Sequence, residues 1–266
     1  MTLCIAWKDS EGVHFASDSR LTLATDSVAD VGVKVLALPL RILDPGDDTG
    51  GGAQTVAFRS ELGMCFAGSA VNSLTIKESL AEVLQTLQHV PDHTDTSMQG
   101  IAAFIFTAYK SISQRVCETA IGANGRADIL VGGLCAIKKT VRVFRFCTDA
   151  KNKHSYTEVL TVPGYVLLGS GSVPAENQMP QNPSKLDYLN VLRCVIGDPE
   201  IGAVGGNIQY GLFIDQEFRV HGIYENGPPV HHWRAGLDFN SAEFIENESG
   251  FIPGTPLINP FGPSGA

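Results

Sequence analysis

The sequence lacks the excess of basic residues that a nucleic-acid-binding protein needs. Its 266 residues include 19 lysines and arginines against 28 aspartates and glutamates, a formal net charge of -9. Because phosphate backbones are bound by clustered positive charge, this balance argues against a nucleic-acid groove. The sequence also lacks an apolar run long enough to cross a membrane and a basic leader followed by an apolar segment. We therefore expect no nucleic-acid or membrane partner and a cytoplasmic location.

Cysteine is present without the paired spacing of a metal site or a disulfide framework. The six cysteines are widely scattered, and no two form a C-x-x-C pair. Isolated thiols are typical of a protein in a reducing compartment. The adjacent His231 and His232 would point to opposite sides of an extended chain, so a shared metal is not expected. We predict no metal and no cofactor, and we interpret His231, His232 and Trp233 as a contact surface.

The periodicity of apolar residues predicts a mixed fold. Apolar residues make up 44% of the chain and charged residues 18%, which is typical of a globular protein. Helical spacing covers Leu80 to Val90, Ile101 to Val116 and Ser184 to Ile196, and Ser69 or Asn72 could cap the first helix. Strands precede, separate and follow these helices without the alternation of a parallel sheet. We predict an α+β fold in which antiparallel sheets pack face to face with helices outside.

Short apolar runs define the strands, beginning with a hairpin of Leu3 to Trp7 and Gly12 to Ser17. The other predicted strands are Val31 to Leu38, Thr55 to Phe58, Gly63 to Ala67, Ile129 to Ile137, Thr140 to Cys147, Glu158 to Val162, Tyr165 to Leu168, Asn207 to Ile214 and Arg219 to Tyr224. Residues 43–54 form a loop rich in Gly and Asp; it lacks the lysine of a phosphate-binding loop, and we interpret it as a plain connection. Periodicity ends at Asn226, so we predict a domain at 2–225 and an irregular C-terminal extension at 226–266.

Three polar residues near the start of the chain can carry chemistry together. Once Met1 is removed, Thr2 would hold a free amine beside its own hydroxyl. An α-amine titrates near pH ~7.7–8.0, so it can serve as the base for that hydroxyl. Asp18 follows Thr2 by sixteen positions, and Lys34 follows Asp18 by sixteen more. A lysine beside an aspartate would supply a positive charge that stabilises a developing alkoxide.

Each of the three residues also has an ordinary structural explanation. Many proteins begin with Met-Thr for no catalytic reason. Asp18 can belong to a solvated turn after a strand. Lys34, inside an apolar run, can be an edge-strand lysine that discourages aggregation. The functional interpretation therefore depends on the three residues acting together.

The order and spacing of these residues resemble the signature of proteasome β subunits and their bacterial relatives. The matching segments, besides Thr2 and Lys34, are FASDSRLT (15–22), MCFAGSA (64–70), DILVGG (128–133), LLGSGS (167–172) and AVGGNI (203–208). The resemblance covers roughly residues 2–224. It implies a four-layer αββα sandwich, the fold of N-terminal-nucleophile (Ntn) hydrolases.

The resemblance also implies a role for each site residue. Thr2 would be nucleophile and base, Lys34 the electrostatic activator, and Asp18 the residue that orients Lys34. The backbone N–H of Gly68 would stabilise the oxyanion, and Ser170 would help to position the Thr2 amine. The resemblance further implies that a peptide binds as an added strand. The residues expected to contact this peptide are Leu21, Thr22, Phe66 and Ala70, with Phe66 at the floor of a side-chain pocket or, alternatively, in the core.

Three functions remain open at this point. The first is a threonine peptidase in a self-compartmentalising homo-oligomeric ring that hydrolyses peptides or unfolded proteins, with any unfoldase partner unspecified. The second is a non-catalytic ring subunit, and the third is an Ntn amidase for small amides. The chain departs from the family pattern at Ile201 and Val204, where active members usually carry Asp and Ser before the Gly-Gly pair, and Asp198 is out of register.

Overall fold

The computed structural model describes residues 2–24, 27–44, 55–90, 92–225, 231–246, 249 and 257–258. The chain divides into two compact units. The first unit comprises Met1–Leu36, Gly164–Leu212 and Val220–Ala266, and the second comprises Ala37–Pro163 and Phe213–Arg219. Each unit contains most of one large β-sheet.

Strands dominate the described residues. In chain order they are β1 (Cys4–Lys8), β2 (Val13–Ser17), β3 (Leu21–Ala24), β4 (Ser27–Ala29), β5 (Val35–Leu43), β6 (Val56–Gly68), β7 (Leu87–Gln88), β8 (Ala127–Leu134), β9 (Val141–Thr148), β10 (His154–Val159), β11 (Gly164–Leu168), β12 (Gln209–Ile214), β13 (Glu217–Glu225), β14 (His231–Arg234), β15 (Leu237–Asp238) and β16 (Leu257–Ile258). The α-helices are α1 (Ala70–Val83), α2 (Met98–Arg115), α3 (Ser172–Gln178), α4 (Lys185–Gly197) and α5 (Ala242–Ile245). A π-helical segment, Val116–Ile121, and a 3-10 turn, Gly122–Gly125, follow α2.

The sheet of the first unit is built around the N-terminal hairpin. Its strand order is β11-β1-β2-β12-β13-β14-β15, and β16 also pairs with β13. The pairs β1–β2, β1–β11 and β2–β12 are antiparallel. Because β1 is an inner strand, both of its edges are hydrogen-bonded, and the residues at its start are held from two sides.

Helix α4 covers the apolar face of this sheet. Ser184 and Asp187 form a capping box that satisfies backbone groups at the start of the helix. Tyr188, Leu189, Val191, Leu192 and Val195 of α4 are buried in one cluster with residues of β1 that include Leu3, Ile5 and Trp7. Burying side chains of this size contributes about 1.5–3 kcal/mol each. The strand that begins next to Thr2 is therefore anchored in the core.

The sheet of the second unit has the order β10-β9-β8-β6-β5-β7, and α1 and α2 contact its strands β6, β8 and β9. The sequence predicts two strands within residues 55–67, whereas the structure has the single thirteen-residue strand β6. Of the two predicted cap candidates, Ser69 and Asn72, Ser69 caps α1: its side chain accepts from the N–H of Asn72. The predicted helix to Val90 is wrong: α1 ends at Val83, and Leu87–Gln88 pairs with β5 because the strand edge offers it hydrogen bonds.

The predicted α+β class with antiparallel sheets is confirmed at this level. The tail, which the sequence predicts to be irregular, contributes β14 and β15 beyond β13, so the sheet continues past residue 225. The division at 225/226 stays a prediction. The remainder of the tail and residues 45–54 of the predicted loop lie largely outside the described residues. Within the part of the chain that the structure describes, no helix has the length and apolarity needed to cross a membrane.

Candidate active site

The N-terminal hairpin brings Thr2 and Asp18 to the same end of the first sheet. Cys4 pairs with Ser17, so the chain just before β1 lies beside the chain just after β2. The amide of Leu3 donates to Asp18 Oδ1 at 3.1 Å, and the amide of Asp18 donates to the carbonyl of Leu3 at 3.3 Å. Thr2 itself is buried, and its carbonyl accepts from the amide of Gly171 at 3.2 Å.

Lys34 reaches the same carboxylate. Its Nζ donates to Asp18 Oδ1 at 2.9 Å, and the side chains of Lys34 and Asp18 are 1% and 0% exposed. Removing one partner of a buried ion pair typically costs about 3–5 kcal/mol, because the other charge is left uncompensated. One oxygen of Asp18 thus joins the residue after Thr2 to a buried ammonium group.

The second oxygen of Asp18 is also fully used. Asp18 Oδ2 accepts from the amide of Arg20 at 3.1 Å and from the amide of Gly205 at 3.1 Å. A carboxylate has about four acceptor positions, and here four donors occupy them. The orientation of the carboxylate is therefore fixed by groups from four places in the chain.

Gln209 holds the backbone that carries Lys34. Its Oε1 accepts from the amides of Lys34 at 2.8 Å and Val35 at 3.2 Å, and its Nε2 donates to the carbonyl of Gly32. Gln209 is paired with Ser17 at the start of β12. Gln209 is not predictable from the sequence, because a glutamine before an apolar strand carries no local sign of such a contact.

Three other predicted site residues, Ser170, Leu21 and Thr22, also belong to the first unit. Ser170 is exposed in the turn after β11, next to the Gly171 amide that contacts Thr2. Leu21 and Thr22 are half-buried in β3. The hydroxyl of Thr22 is buried without a hydrogen-bond partner among the described residues. Their roles toward a substrate stay predictions.

Three predicted residues belong to the second unit, around the end of β6. Phe66 is buried in the strand, Gly68 is exposed at its end, and Ala70 begins α1. Gly68 has a φ of +92°, and a Cβ there would lie 2.5 Å from the carbonyl oxygen of Arg126. Glycine is therefore required by local geometry alone. The catalytic and substrate roles of these residues stay predictions.

A second polar cluster, around the buried His14, lies at the same hairpin and is not among the predicted site residues. His14 stacks on Trp7 with ring centroids 4.8 Å apart. Its Nδ1 is 2.7 Å from the hydroxyl of Tyr210, and its Nε2 is 3.1 Å from Asp9 Oδ1. Burial lowers the pKa of His14 and outweighs the opposing field of Asp9. The ring is therefore neutral, with Nε2–H donating to Asp9 and Nδ1 accepting from Tyr210.

The histidines of the tail are arranged as ordinary structural partners. His231 Nδ1 lies 2.7 Å from Asp238 Oδ2, and the ring of His231 stacks on Trp233. No group of three or more metal-ligating side chains occurs within the described residues.

The turn before Gly205 carries two apolar residues where the resembled family usually has Asp and Ser. Ile201 packs against the apolar core of the first unit, and Val204 lies within that core.

The solved structures that resemble this chain include Anbu proteins. The Anbu (ancestral beta-subunit) from Yersinia bercovieri matches with a TM-score of 0.57 at 15% identity, over 82% of this chain and 86% of its own. The helical assembly of the Anbu complex from Pseudomonas aeruginosa matches with 0.56 at 15%, over 91% and 89%. Anbu from Hyphomicrobium sp. strain MC1 matches with 0.51 at 14%, over 82% and 84%. The chain shares the Anbu fold.

This likeness corrects one prediction. Anbu is related to the proteasome but is not itself a proteasome β subunit, so the predicted membership of the proteasome β-subunit family is wrong. No protein-family model and no curated protein matches the sequence. Of the motifs that suggested proteasome β subunits, DILVGG (128–133) lies within β8, and the others lie at the ends of β2, β6 and β11 and before β12.

Proposed function

We propose that the chain is an Ntn hydrolase of the Anbu type that hydrolyses peptide bonds with Thr2 as nucleophile. One observation carries this function: Asp18 Oδ1 accepts from both the Leu3 amide and the Lys34 ammonium, at 3.1 and 2.9 Å. A fixed, water-excluded positive charge, held by the carboxylate that also binds the residue after Thr2, is suited to stabilise an alkoxide on Thr2. The likeness to the Anbu fold supports the same conclusion.

The chemistry of Thr2 follows from its own two groups. After release of Met1, the free amine accepts the proton of the Thr2 hydroxyl, and the hydroxyl oxygen attacks the carbonyl carbon of the substrate. Lys34 stabilises the alkoxide electrostatically, and Asp18 fixes the position of Lys34. The predicted oxyanion donor is the N–H of Gly68, and Ser170 is the predicted partner of the amine.

The proposed architecture is the four-layer αββα arrangement of Ntn hydrolases, with identical subunits assembled into a larger particle. Support comes from the Anbu complex of Pseudomonas aeruginosa, which is a helical assembly and matches 91% of this chain. A closed homo-oligomeric ring is the form that the sequence predicts. Either form would restrict access to a peptidase site that acts on peptides or unfolded proteins.

A non-catalytic assembly subunit is the second candidate. Val204 is 1% exposed and belongs to the apolar core, and Ile201 packs against that core. The side chains just before Gly205 therefore give no polar support to an amine. If the protein is catalytic, the buried Asp18–Lys34 pair must provide the electrostatic stabilisation at Thr2 without polar side chains at positions 201 and 204.

Covalent labelling of Thr2 separates these functions. The purified protein should lack Met1 by intact mass, and a peptide epoxyketone, which needs both hydroxyl and amine, should add to Thr2. Thr2→Ala is the control that removes the nucleophile and should take no label. An intact Met1 in every molecule, or no adduct on a protein that lacks Met1, would refute the peptidase and leave the assembly subunit.

Lys34→Arg tests the electrostatic part of the mechanism. The ammonium of Lys34 is buried in a space that the larger, planar guanidinium does not match, so its charge would be displaced from Asp18. We expect labelling and peptide hydrolysis to fall roughly 100-fold, the loss typical of one misplaced electrostatic group. Thermal unfolding measured in parallel separates this loss from unfolding. Wild-type rates for a folded Lys34→Arg protein would make Lys34 a purely structural residue.

A further inference from the structure

Arg20, two residues after Asp18, forms a fork with Asp30. Its Nε donates to Asp30 Oδ1 at 2.7 Å, and its Nη2 donates to Asp30 Oδ2 at 2.8 Å. The Arg20 hydrogen bonds hold the pKa of the Asp30 carboxyl below its usual value. Two parallel bonds fix the plane of the guanidinium as well as its position.

The remaining nitrogen of Arg20 points to the turn before Gly205. Nη1 donates to the carbonyl of Gly202 at 3.2 Å and lies 3.5 Å from the carbonyl of Val204. A Cβ on Gly205 would clash with Cζ of Arg20, so the guanidinium rests directly against the Gly205 backbone. Arg20 therefore bridges Asp30 and the turn at 202–205.

Ser19 reinforces the same bridge. Its Oγ donates to the carbonyl of Asp30 at 2.9 Å and accepts from the amide of Asn207 at 2.8 Å. The amide of Ser19 donates to the carbonyl of Gly205 at 3.2 Å. Gly206 has a φ of +74°, and a Cβ there would clash with Ser19 Oγ. Both glycines of the pair are thus fitted to Arg20 and Ser19.

We propose that Arg20 is a positioning residue for the Thr2 site, an inference that rests on the proposed function. The turn that Arg20 holds delivers the Gly205 N–H to Asp18 Oδ2, while Asp18 Oδ1 holds Lys34. Val204 lies in the apolar core and Ile201 packs against it, so polar contacts to this turn come from elsewhere. Arg20 holds the carbonyls of Gly202 and Val204, while Asp18 and Ser19 hold the amides of Gly205 and Asn207. Arg20 acts through Gly205 and Asp18 on Lys34, and it does not touch the reacting atoms.

The effect of losing the fork follows from this chain of contacts. Without Arg20, the Gly205 amide is free to leave Oδ2, and the carboxylate can rotate and displace the ammonium of Lys34. A displaced positive charge stabilises the Thr2 alkoxide less and favours the neutral amine less. Labelling of Thr2 should therefore become slower, and its pH midpoint should move upward. A residue that only stabilised the fold would lower the folded fraction without moving that midpoint.

The test compares Arg20→Lys with a matched control in the second unit. Arg145 forms the same kind of fork with Asp128, at 2.9 and 2.6 Å, so Arg145→Lys removes a fork that is not part of this chain of contacts. Lysine keeps the charge and loses the fork in both variants. The rate of epoxyketone addition to Thr2 is measured by intact mass between pH 6 and 9. We expect Arg20→Lys to slow addition about tenfold to 100-fold with an upward midpoint, and Arg145→Lys to match wild type.

A second readout is independent of the chemistry. Hydrogen exchange of the Gly205 amide should accelerate in Arg20→Lys and stay unchanged in Arg145→Lys. Asp30→Asn, which weakens the fork and leaves Arg20 in place, provides a milder variant if Arg20→Lys does not fold. It should shift both readouts in the same direction by a smaller amount.

The outcomes separate the two proposals. An unlabelled wild-type protein would refute the proposed function, and the exchange data would still decide whether Arg20 fixes the turn. A labelled wild type with unchanged rate, midpoint and exchange in Arg20→Lys would overturn the inference and leave the proposed function standing. Equal slowing in Arg20→Lys and Arg145→Lys would also overturn it, because the effect would then be general destabilisation.

Discussion

Asp18 is a single acidic residue whose two oxygens accept from four donors in different parts of the chain. Those donors are the amides of Leu3, Arg20 and Gly205 and the ammonium of Lys34. An asparagine would place an NH₂ group against two of these donors, and it would leave the buried ammonium without its counter-ion. The positions of Thr2 and Lys34 therefore depend on one charge, and no neutral side chain of similar size can replace it.

Gly68 is required by the local backbone geometry and is also the predicted oxyanion donor. Gly68→Ala would place a Cβ 2.5 Å from the carbonyl oxygen of Arg126 at a φ of +92°. We expect the free energy of unfolding to fall by about 1–3 kcal/mol, the range typical of such backbone strain. Urea unfolding of the purified variant measures this directly.

Gly122→Ala is the matched control for this change. Gly122 also has a positive φ, +57°, but a Cβ there would meet nothing within 4 Å. With a ψ of −138° its cost comes from backbone strain alone, about 1–3 kcal/mol, and should be smaller than that of Gly68→Ala, which adds the contact with Arg126. Equal stabilities of the two variants would show that the Arg126 contact is relieved in solution. Loss of activity in Gly68→Ala is evidence for an oxyanion role only after correction for this structural cost.

At the scale of elements, the β1–β2 hairpin carries a pH-sensitive group as well as the site. His14 on β2 is fully buried, and its pKa is lowered by burial. It lies against Asp9, Trp7 and Tyr210, and the charges of Glu11 and Lys185 also act on it. The unfolded chain binds the His14 proton more readily than the folded chain. Stability is therefore complete above the ordinary pKa of about 6.5 and is lost as the pH falls below it.

The pH prediction is a loss of stability between pH 7 and 5 that depends on His14. The free energy of unfolding in urea should fall across this interval for the wild-type protein. His14→Gln, which keeps polar contacts but cannot take up a proton, should be less stable at pH 7 and should show a flatter dependence. Burial raises the pKa of Asp9, but His14 and the Glu11 amide lower it by more, so the net shift is downward. Asp9 therefore titrates below the interval from pH 7 to 5 and does not produce the loss of stability there. Parallel curves for both proteins would contradict the prediction.

Local patterns were sufficient to predict some elements and not others. The N-terminal hairpin, α2 and α4 can be predicted because the alternation and helical spacing of apolar residues are encoded in neighbouring residues. The single strand β6 and the strand at Leu87–Gln88 were missed. Their conformation is decided by strands that are distant in sequence, β8 for β6 and β5 for Leu87–Gln88.

The residues of the candidate site also divide into those that local sequence patterns predict and those that they do not. Asp18 and Lys34 could be found because each follows the preceding site residue by sixteen positions, and the structure joins them at 2.9 Å. Gly205 and Gln209 contact the same groups from more than 170 residues away. Arg20 was visible only as part of a motif, because its partners Asp30 and Gly202 are unrelated to it by any local spacing. Contacts of this kind become visible only when the fold is known.

At the scale of the whole molecule, we expect many identical subunits in one particle. A peptidase with an unselective site would be hazardous as a free monomer, and a repeated interface between copies encloses the site at low cost in sequence. A head-to-tail interface gives a closed ring if its rotation closes and an open helix if it does not. The helical Anbu complex of Pseudomonas aeruginosa shows that a protein of this fold can take the second course.

Sedimentation velocity at several protein concentrations tests this expectation. The protein should sediment as a species many times its monomer mass of 28.4 kDa. A closed ring gives one mass that does not change with concentration, because its interfaces are all satisfied. An open helix gives masses that increase with concentration, because each end can add a subunit. Thr2→Ala should assemble like wild type, since Thr2 acts in the chemistry. A monomer at every concentration would refute self-assembly while leaving the chemistry of Thr2 to be judged by its own labelling experiment.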